Sequence, residues 1–193
     1  PDQPLSRASY VPTTSSAKYL PRIGHHVYTG SSAWANEGLL AESEARTNVV
    51  TYSDQFNNAA WTKAAPTITA DAIASPDGND NADKLVESST TAHAVYQVPT
   101  VTAVAYTFSV FAKSAERTQV NLDFTGGTNG AYFNLSTGEV ISSSGTGLTA
   151  AITPMGNDWY RCSITQVQSA GAIYPSVSTS VGGARVYLGD GSS

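Results

Sequence analysis

The chain has 193 residues, a formal net charge of −5 and only 13% charged residues. Serine and threonine make up about a quarter of it, a composition that disfavours helices and excludes an all-helical protein. The acidic balance and the singly scattered basic residues argue against nucleic-acid binding, which requires clustered Lys and Arg. No apolar run approaches the roughly 18–20 residues that cross a bilayer, so we expect no membrane insertion.

The first 48 residues differ from the rest of the chain in their proline content. Their four prolines remove amide donors and force extended geometry, and no sustained hydrophobic alternation accompanies them. We therefore predict that residues 1–48 form an extended arm lying on a surface, with one short helix over residues 39–46. The aromatic residues of this arm are the candidates for contacts with a partner protein, namely Tyr10, Tyr19, Tyr28 and Trp34.

From residue 49 onward the hydrophobic pattern has the two-residue period of β-strands. Residues 106–113 and 119–124 show it most clearly, with every second side chain apolar. A first strand is predicted over residues 49–52 and a last one over 185–188, and turn signals such as residues 75–78 separate about ten candidates. Many short strands without intervening helices predict an all-β fold over residues 49–193. An antiparallel two-sheet β-sandwich or a barrel fits this pattern, and the size favours a jelly roll.

Catalytic constellations are not apparent in the sequence. The single cysteine, Cys162, alternates with Tyr160 and Ile164 on one strand face, which predicts a buried apolar side chain and not a nucleophile. His25 and His26 are adjacent and point to opposite sides of an extended chain, and no Gly-x-Ser-x-Gly elbow exists. Since no pair of carboxylates stands out for glycoside hydrolysis, we expect a protein without enzymatic activity, and a polysaccharide depolymerase is the minor alternative.

A calcium site is the one metal site that the sequence leaves open. Residues 77–83 alternate oxygen-bearing side chains but have Ala82 where an EF-hand requires glycine, so a plain turn rich in Asp and Asn is the simpler interpretation. No other cofactor is expected. The calcium candidates are Asp54, Asp77 and Asp190.

Exposed aromatic side chains are the remaining candidates for function. The chain has ten tyrosines and three tryptophans against five phenylalanines. Tyr and Trp combine an apolar ring face with a polar tip, which suits stacking on sugars, contacts between proteins and packing at the rim of a core. Trp61 and Trp159 are both expected to be structural more than ligand-facing, and Trp159, which precedes inward-facing Tyr160, is expected on the outer face of its strand in contact with a neighbour. The glycan-binding candidates are Tyr96, Tyr132, Trp159 and Tyr174.

Residues 42–63, ESEARTNVVTYSDQFNNAAWTK, resemble a segment of bacteriophage and prophage virion proteins that opens a carbohydrate-binding-module-like jelly roll. The resemblance extends through residues 74–78, 82–85, 106–113 and 158–162 to 187–191. It implies a non-enzymatic component of the virion surface, such as a head fibre, spike or tail-fibre segment, that binds host cell-surface glycan. The family continues with one further strand after the Gly-Asp-Gly turn, which this sequence is expected to lack.

The resemblance also implies partners and a location. Other virion proteins would hold the arm, host surface polysaccharide would be the ligand, and the chain would form a homo-oligomer. Residues 1–9 have neither the basic start nor the apolar block of a signal peptide, which fits assembly in the host cytoplasm. A purely structural decoration or assembly protein of the virion is the alternative function.

Overall fold

The computed structural model describes residues 22–28, 34–40, 47–88 and 93–190, the first two ranges by their backbone only. The chain divides into two compact units, Pro1–Val49 and Val50–Ser193. In the first unit, strands β1 (Arg22–Tyr28) and β2 (Trp34–Leu40) pair antiparallel, with Tyr28 opposite Trp34. The extended arm predicted for residues 1–48 included no strand pairing of this kind.

The helix predicted over residues 39–46 is wrong at its start, because Leu39 and Leu40 belong to β2. Residues 41–46, and the arm candidates Tyr10 and Tyr19, lie outside the described residues.

The second unit is built from short strands. They are β3 (Thr62–Ala64), β4 (Thr67–Ala74), β5 (Asp80–Val86), β6 (Ala94–Tyr96), β7 (Thr100–Val101), β8 (Ala105–Lys113), β9 (Gln119–Asp123), β10 (Gly130–Asn134), β11 (Glu139–Ser144), β12 (Thr149–Gly156), β13 (Trp159–Val167), β14 (Gly171–Ala172) and β15 (Ser176–Ser180).

These strands pair antiparallel in several sheets. The largest has the order β11-β10-β9-β15-β6-β3, a second has the order β12-β13-β8, and β4-β5 and β7-β14 form separate pairs. The described part of the chain contains no helix, so the all-β prediction is confirmed, and the arrangement is consistent with a β-sandwich. It follows that this part holds no helix with the length and hydropathy needed to cross a membrane.

One face of the six-stranded sheet carries the apolar core. Directly paired residues share a face of a sheet, and the row across β6, β15, β9 and β10 consists of Val95, Val177, Leu122 and Ala131. All four are buried, as are Phe108, Cys162 and Ile164 of the three-stranded sheet, whose strands contact β9 and β10. Burying each large side chain stabilises the fold by about 1.5–3 kcal/mol. The inward positions predicted for residues 120, 122 and 124 are confirmed.

The opposite face of the same sheet is polar. One row of paired residues on this face is Tyr96–Ser176–Asp123. The next row, two residues further along each strand, is Ala94–Ser178–Asn121–Tyr132. The serines, Asn121 and Asp123 are nevertheless buried. This face therefore combines ordered polar groups with tyrosine rings, and it positions the candidate site.

Two predicted strands are not formed. Residues 50–61 form turns in place of a strand over 49–52, and Trp61 closes them by donating from Nε1 to the Tyr52 carbonyl at 2.8 Å. Trp61 is 2% exposed, which agrees with its expected structural role.

The segment predicted as a last strand, residues 185–188, is irregular. Val186 makes a single β-bridge, and the side chains of Arg185 and Tyr187 bind the segment to the body. The turn over residues 75–78 is confirmed, with Gly78 at a φ of 85° and its amide donating to the Ser75 carbonyl at 3.0 Å.

Candidate functional site

A small cleft opens on the polar face of the six-stranded sheet and has a volume of about 100 Å³. Strand β3, strand β6, the loop after β9 and the chain on both sides of β15 supply its walls. We call this the tyrosine cleft, and its lining residues are Ala64, Ala94, Tyr96, Gly126, Tyr174, Ser176 and Arg185.

Two tyrosines that the sequence indicated as glycan candidates meet at this cleft. The ring centroids of Tyr96 and Tyr174 are 6.3 Å apart, with the planes tilted by 49°. Tyr96 points to the polar face because it follows inward-facing Val95 on β6. Tyr174 is held by its amide, which donates to the Phe124 carbonyl at 2.8 Å, and its side chain remains 43% exposed. The two rings thus provide a fixed aromatic wall.

A buried carboxylate organises the floor beside the tyrosines. Asp123 is fully buried, and its Oδ1 accepts from the amides of Thr125 at 2.9 Å and Gly127 at 3.0 Å, and from that of Gly126. Its Oδ2 accepts from the Ser176 hydroxyl at 3.0 Å. These hydrogen bonds compensate for the burial of the Asp123 carboxylate. They also hold the loop after β9 in a single conformation.

The same carboxylate fixes an arginine at the cleft. Arg185 Nη1 donates to Asp123 Oδ2 at 3.0 Å, and the arginine side chain stays 22% exposed. A Cβ at Gly127, where φ is 134°, would lie 3.0 Å from Arg185 Nη1, so this position needs glycine both for its backbone and for the close approach. The guanidinium is therefore held in place with donors besides the one that Asp123 uses.

The other two glycan candidates lie elsewhere. Tyr132 is half-buried on the same polar face, three strand spacings from Tyr96, or about 14 Å at ~4.8 Å per strand. Trp159 belongs to the three-stranded sheet and is only 9% exposed, so its ring is covered, which agrees with a structural role and leaves no open ring face for a sugar. The structure brings together Tyr96 and Tyr174 and separates both Tyr132 and Trp159 from them, because the residues between Tyr96 and Tyr132 on this face are buried.

The calcium candidates do not converge. Asp77 binds within its own turn, where Oδ1 accepts from the Ser75 hydroxyl at 2.6 Å and the Asn79 amide at 2.9 Å, and these bonds lower the pKa of Asp77. Asp190 pairs with Arg117 at 2.8 Å, and Asp54 lies in the exposed turns after Tyr52. Across residues 47–88 and 93–190, no three His, Cys, Asp or Glu side chains form a group that could hold a metal ion.

A second buried carboxylate, Glu87, ties the irregular segment after β15 to the body. Arg117 donates to it from Nε at 3.1 Å and from Nη2, the Tyr187 hydroxyl donates at 2.6 Å, and the Asp190 amide donates at 2.8 Å. These donors, Arg117 first, hold the pKa of Glu87 well below its usual range. Burial, together with the bond to Glu87, raises the pKa of Tyr187 to about 12. We call these four residues the Glu87 clamp.

The two described side chains that could act in catalysis, Cys162 and His93, are both buried. Cys162 is fully buried, as predicted, and desolvation raises the pKa of its thiol to about 12, so the thiolate is strongly disfavoured. His93 is also buried, with Nε2 at 3.0 Å from the Ser88 carbonyl and its ring stacked on Tyr187 at 4.9 Å. His25 and His26 lie on β1, where only the backbone is described.

Sequence comparison adds no relative to this picture. No model of a known protein family matches the chain, and no curated protein is significantly similar to it in sequence.

Proposed function

We propose that this chain is a non-enzymatic component of a phage virion surface, a head fibre, spike or tail-fibre segment, that binds host cell-surface glycan. In this proposal residues 49–193 are a carbohydrate-binding-module-like jelly roll, and residues 1–48 dock on another virion protein. The tyrosine cleft is the glycan site. The resemblance of residues 42–63 to virion proteins supports the first part of the proposal, and the cleft supports the second.

The observation that carries glycan binding is the tyrosine pair beside a fixed arginine. A sugar ring presents C–H bonds on its face, which pack on tyrosine rings, and hydroxyls at its edge, which accept hydrogen bonds from a guanidinium. Tyr174 is 43% exposed and Arg185 is 22% exposed, so both are accessible in a cleft too small to enclose a chain.

Such a shallow site binds one sugar weakly. Display of several copies raises the overall affinity without new contacts, because later contacts form at high effective concentration. A homo-oligomeric fibre or spike provides this display, so we propose that the chain acts as a multimer.

The experiment is a glycan array and a pull-down with host envelope polysaccharide, using the multimeric full chain. Tyr96→Ala and Tyr174→Ala should each reduce retention at least tenfold with no comparable loss of thermal stability. Phe111→Ala is the matched control, because Phe111 is 48% exposed on β8 of the other sheet and its removal should leave binding unchanged. Equal retention of all three variants would show that glycans bind elsewhere, and no retention of the wild type would refute glycan binding.

A structural decoration protein is the second candidate, favoured by two apolar side chains on the irregular segment. Val186 is 66% exposed and Leu188 is 73% exposed. Exposed apolar residues of this kind commonly become buried against another chain. Leu188→Ser that abolishes incorporation into particles but leaves glycan retention intact would support this function, and deletion of residues 1–38 tests the arm in the same assay.

A further inference from the structure

Resting on the proposed glycan binding, we propose that the tyrosine cleft takes the acetamido group of an N-acetylhexosamine, with the sugar ring outside on the tyrosines. Size, charge and the chemistry of the walls lead to this ligand independently of the resemblance to virion proteins.

The volume of the cleft sets the size of what enters it. A protein cavity of about 150 Å³ holds one benzene ring, so a cleft of about 100 Å³ has room for fewer atoms than one six-membered ring. A substituent of a few heavy atoms fits this space and a whole pyranose ring does not. The sugar ring therefore lies against Tyr174 at the mouth, and one of its substituents enters.

The charges at the cleft select among substituents. Arg185 is already paired with the fully buried Asp123 at 3.0 Å, so the two charges cancel. A carboxylate or phosphate on the ligand would add a second anion to a guanidinium that is already neutralised. An ammonium group only donates hydrogen bonds, as the guanidinium does, so the two cannot bond to each other. A neutral carbonyl oxygen accepts hydrogen bonds from the remaining guanidinium donors without adding charge.

The apolar part of the lining suits a methyl group. Ala64 on β3 and Ala94 on β6 are direct register partners and present two methyl side chains to the cleft. An acetamido group combines a carbonyl for Arg185 with a methyl for these alanines, whereas a hydroxyl group would leave the alanines without an apolar contact.

The test uses four oligosaccharides with the full chain, followed by amide chemical shifts during titration. Three are β-1,4-linked tetramers that differ only at C2, of N-acetylglucosamine, glucosamine and glucose, and the fourth is a uronic-acid tetramer. We expect the N-acetylated tetramer to bind at least tenfold more tightly than each of the others, with shifts at Tyr96, Tyr174 and Arg185.

Filling the cleft provides the matched variants. Ala64→Leu should remove the preference for the N-acetylated tetramer, while Ala72→Leu on the exposed strand β4 should retain it. Two results would overturn the acetamido site but leave glycan binding intact. One is equal affinity for the N-acetylated tetramer and the glucose tetramer, and the other is tightest binding of the uronic-acid tetramer. Failure to bind these tetramers and every glycan on the array overturns the proposed function as well.

Discussion

Replacing Glu87 by glutamine tests how much of the stability of the second unit depends on the Glu87 clamp. Glutamine keeps the shape of the side chain and one acceptor oxygen but removes the negative charge. The Glu87 side chain is fully buried, and it accepts both Nε and Nη2 of Arg117 together with the Tyr187 hydroxyl and the Asp190 amide. The variant therefore leaves the arginine with Asp190 as its carboxylate partner.

The expected loss follows from this geometry. Removing one partner of a buried ion pair costs about 3–5 kcal/mol, because the other charge stays desolvated. Arg117 is 23% exposed and keeps its contact with Asp190, so we expect the lower end, about 3 kcal/mol. At roughly 2–4 °C per kcal/mol for a domain of this size, the midpoint of thermal unfolding should fall by about 6–12 °C.

Urea unfolding followed by tryptophan fluorescence measures the difference, with Glu116→Gln as the control. Glu116 pairs with Lys84 at 2.8 Å in an exposed position, where solvent screens the two charges, so its loss should change stability very little. If the two glutamine variants lose the same stability at pH 7, the clamp has no special role and the reasoning from burial is wrong.

Two further predictions concern the same region. Because the pKa of Glu87 is lowered from 4.5 on folding, the stability it contributes is present above about pH 4.5 and is lost as the pH falls toward its lowered value. Urea unfolding at pH 7 and pH 3 should show the gap between wild type and Glu87→Gln narrowing, and a constant gap would contradict this. Gly189→Ala should lower the thermal midpoint by at least as much as Glu87→Gln, because its Cβ would lie 2.7 Å from His93 Nε2 and closer still to the Ser88 carbonyl. An unchanged midpoint would mean that this contact yields easily.

Alternation of side chains predicted most of the second unit. Residues 106–113 lie within β8, and residues 119–124 contain β9, as predicted. Each segment packs one face against the core, so its apolar residues recur at every second position in the sequence. Cys162 was assigned to the buried face for the same reason. The strand predicted over residues 49–52 is wrong. The β-branched residues of this segment favour a strand locally, but hydrogen bonds from the Trp61 indole and the Gln97 side chain hold the segment in turns.

The sequence predicted some residues of the candidate site but not their arrangement. Tyr96 and Tyr174 were candidates because of their residue type. Their contact depends on the pairing of β6 with β15, in which Tyr96 lies opposite Ser176, and 79 residues separate these two partners in the sequence. Sequence reasoning missed Asp123 and Arg185, although the order Asp-Phe-Thr-Gly-Gly over residues 123–127 is a local pattern of a carboxylate that accepts hydrogen bonds from the amides of a turn. No pattern along the chain reveals an ion pair between residues 62 positions apart.

Arg185, which supplies one wall of the tyrosine cleft, belongs to a segment whose one β-bridge residue after Ala184 is Val186. Glu87 holds the same segment through hydrogen bonds from Tyr187 and Asp190. If the hydrogen bonds to Glu87 open locally, the Arg185 guanidinium loses its fixed position. A smaller fraction of the molecules can then bind the ligand. Ligand affinity and anchoring of this segment are then thermodynamically linked, so an occupied cleft should slow amide exchange at Asp190, a position that no ligand touches.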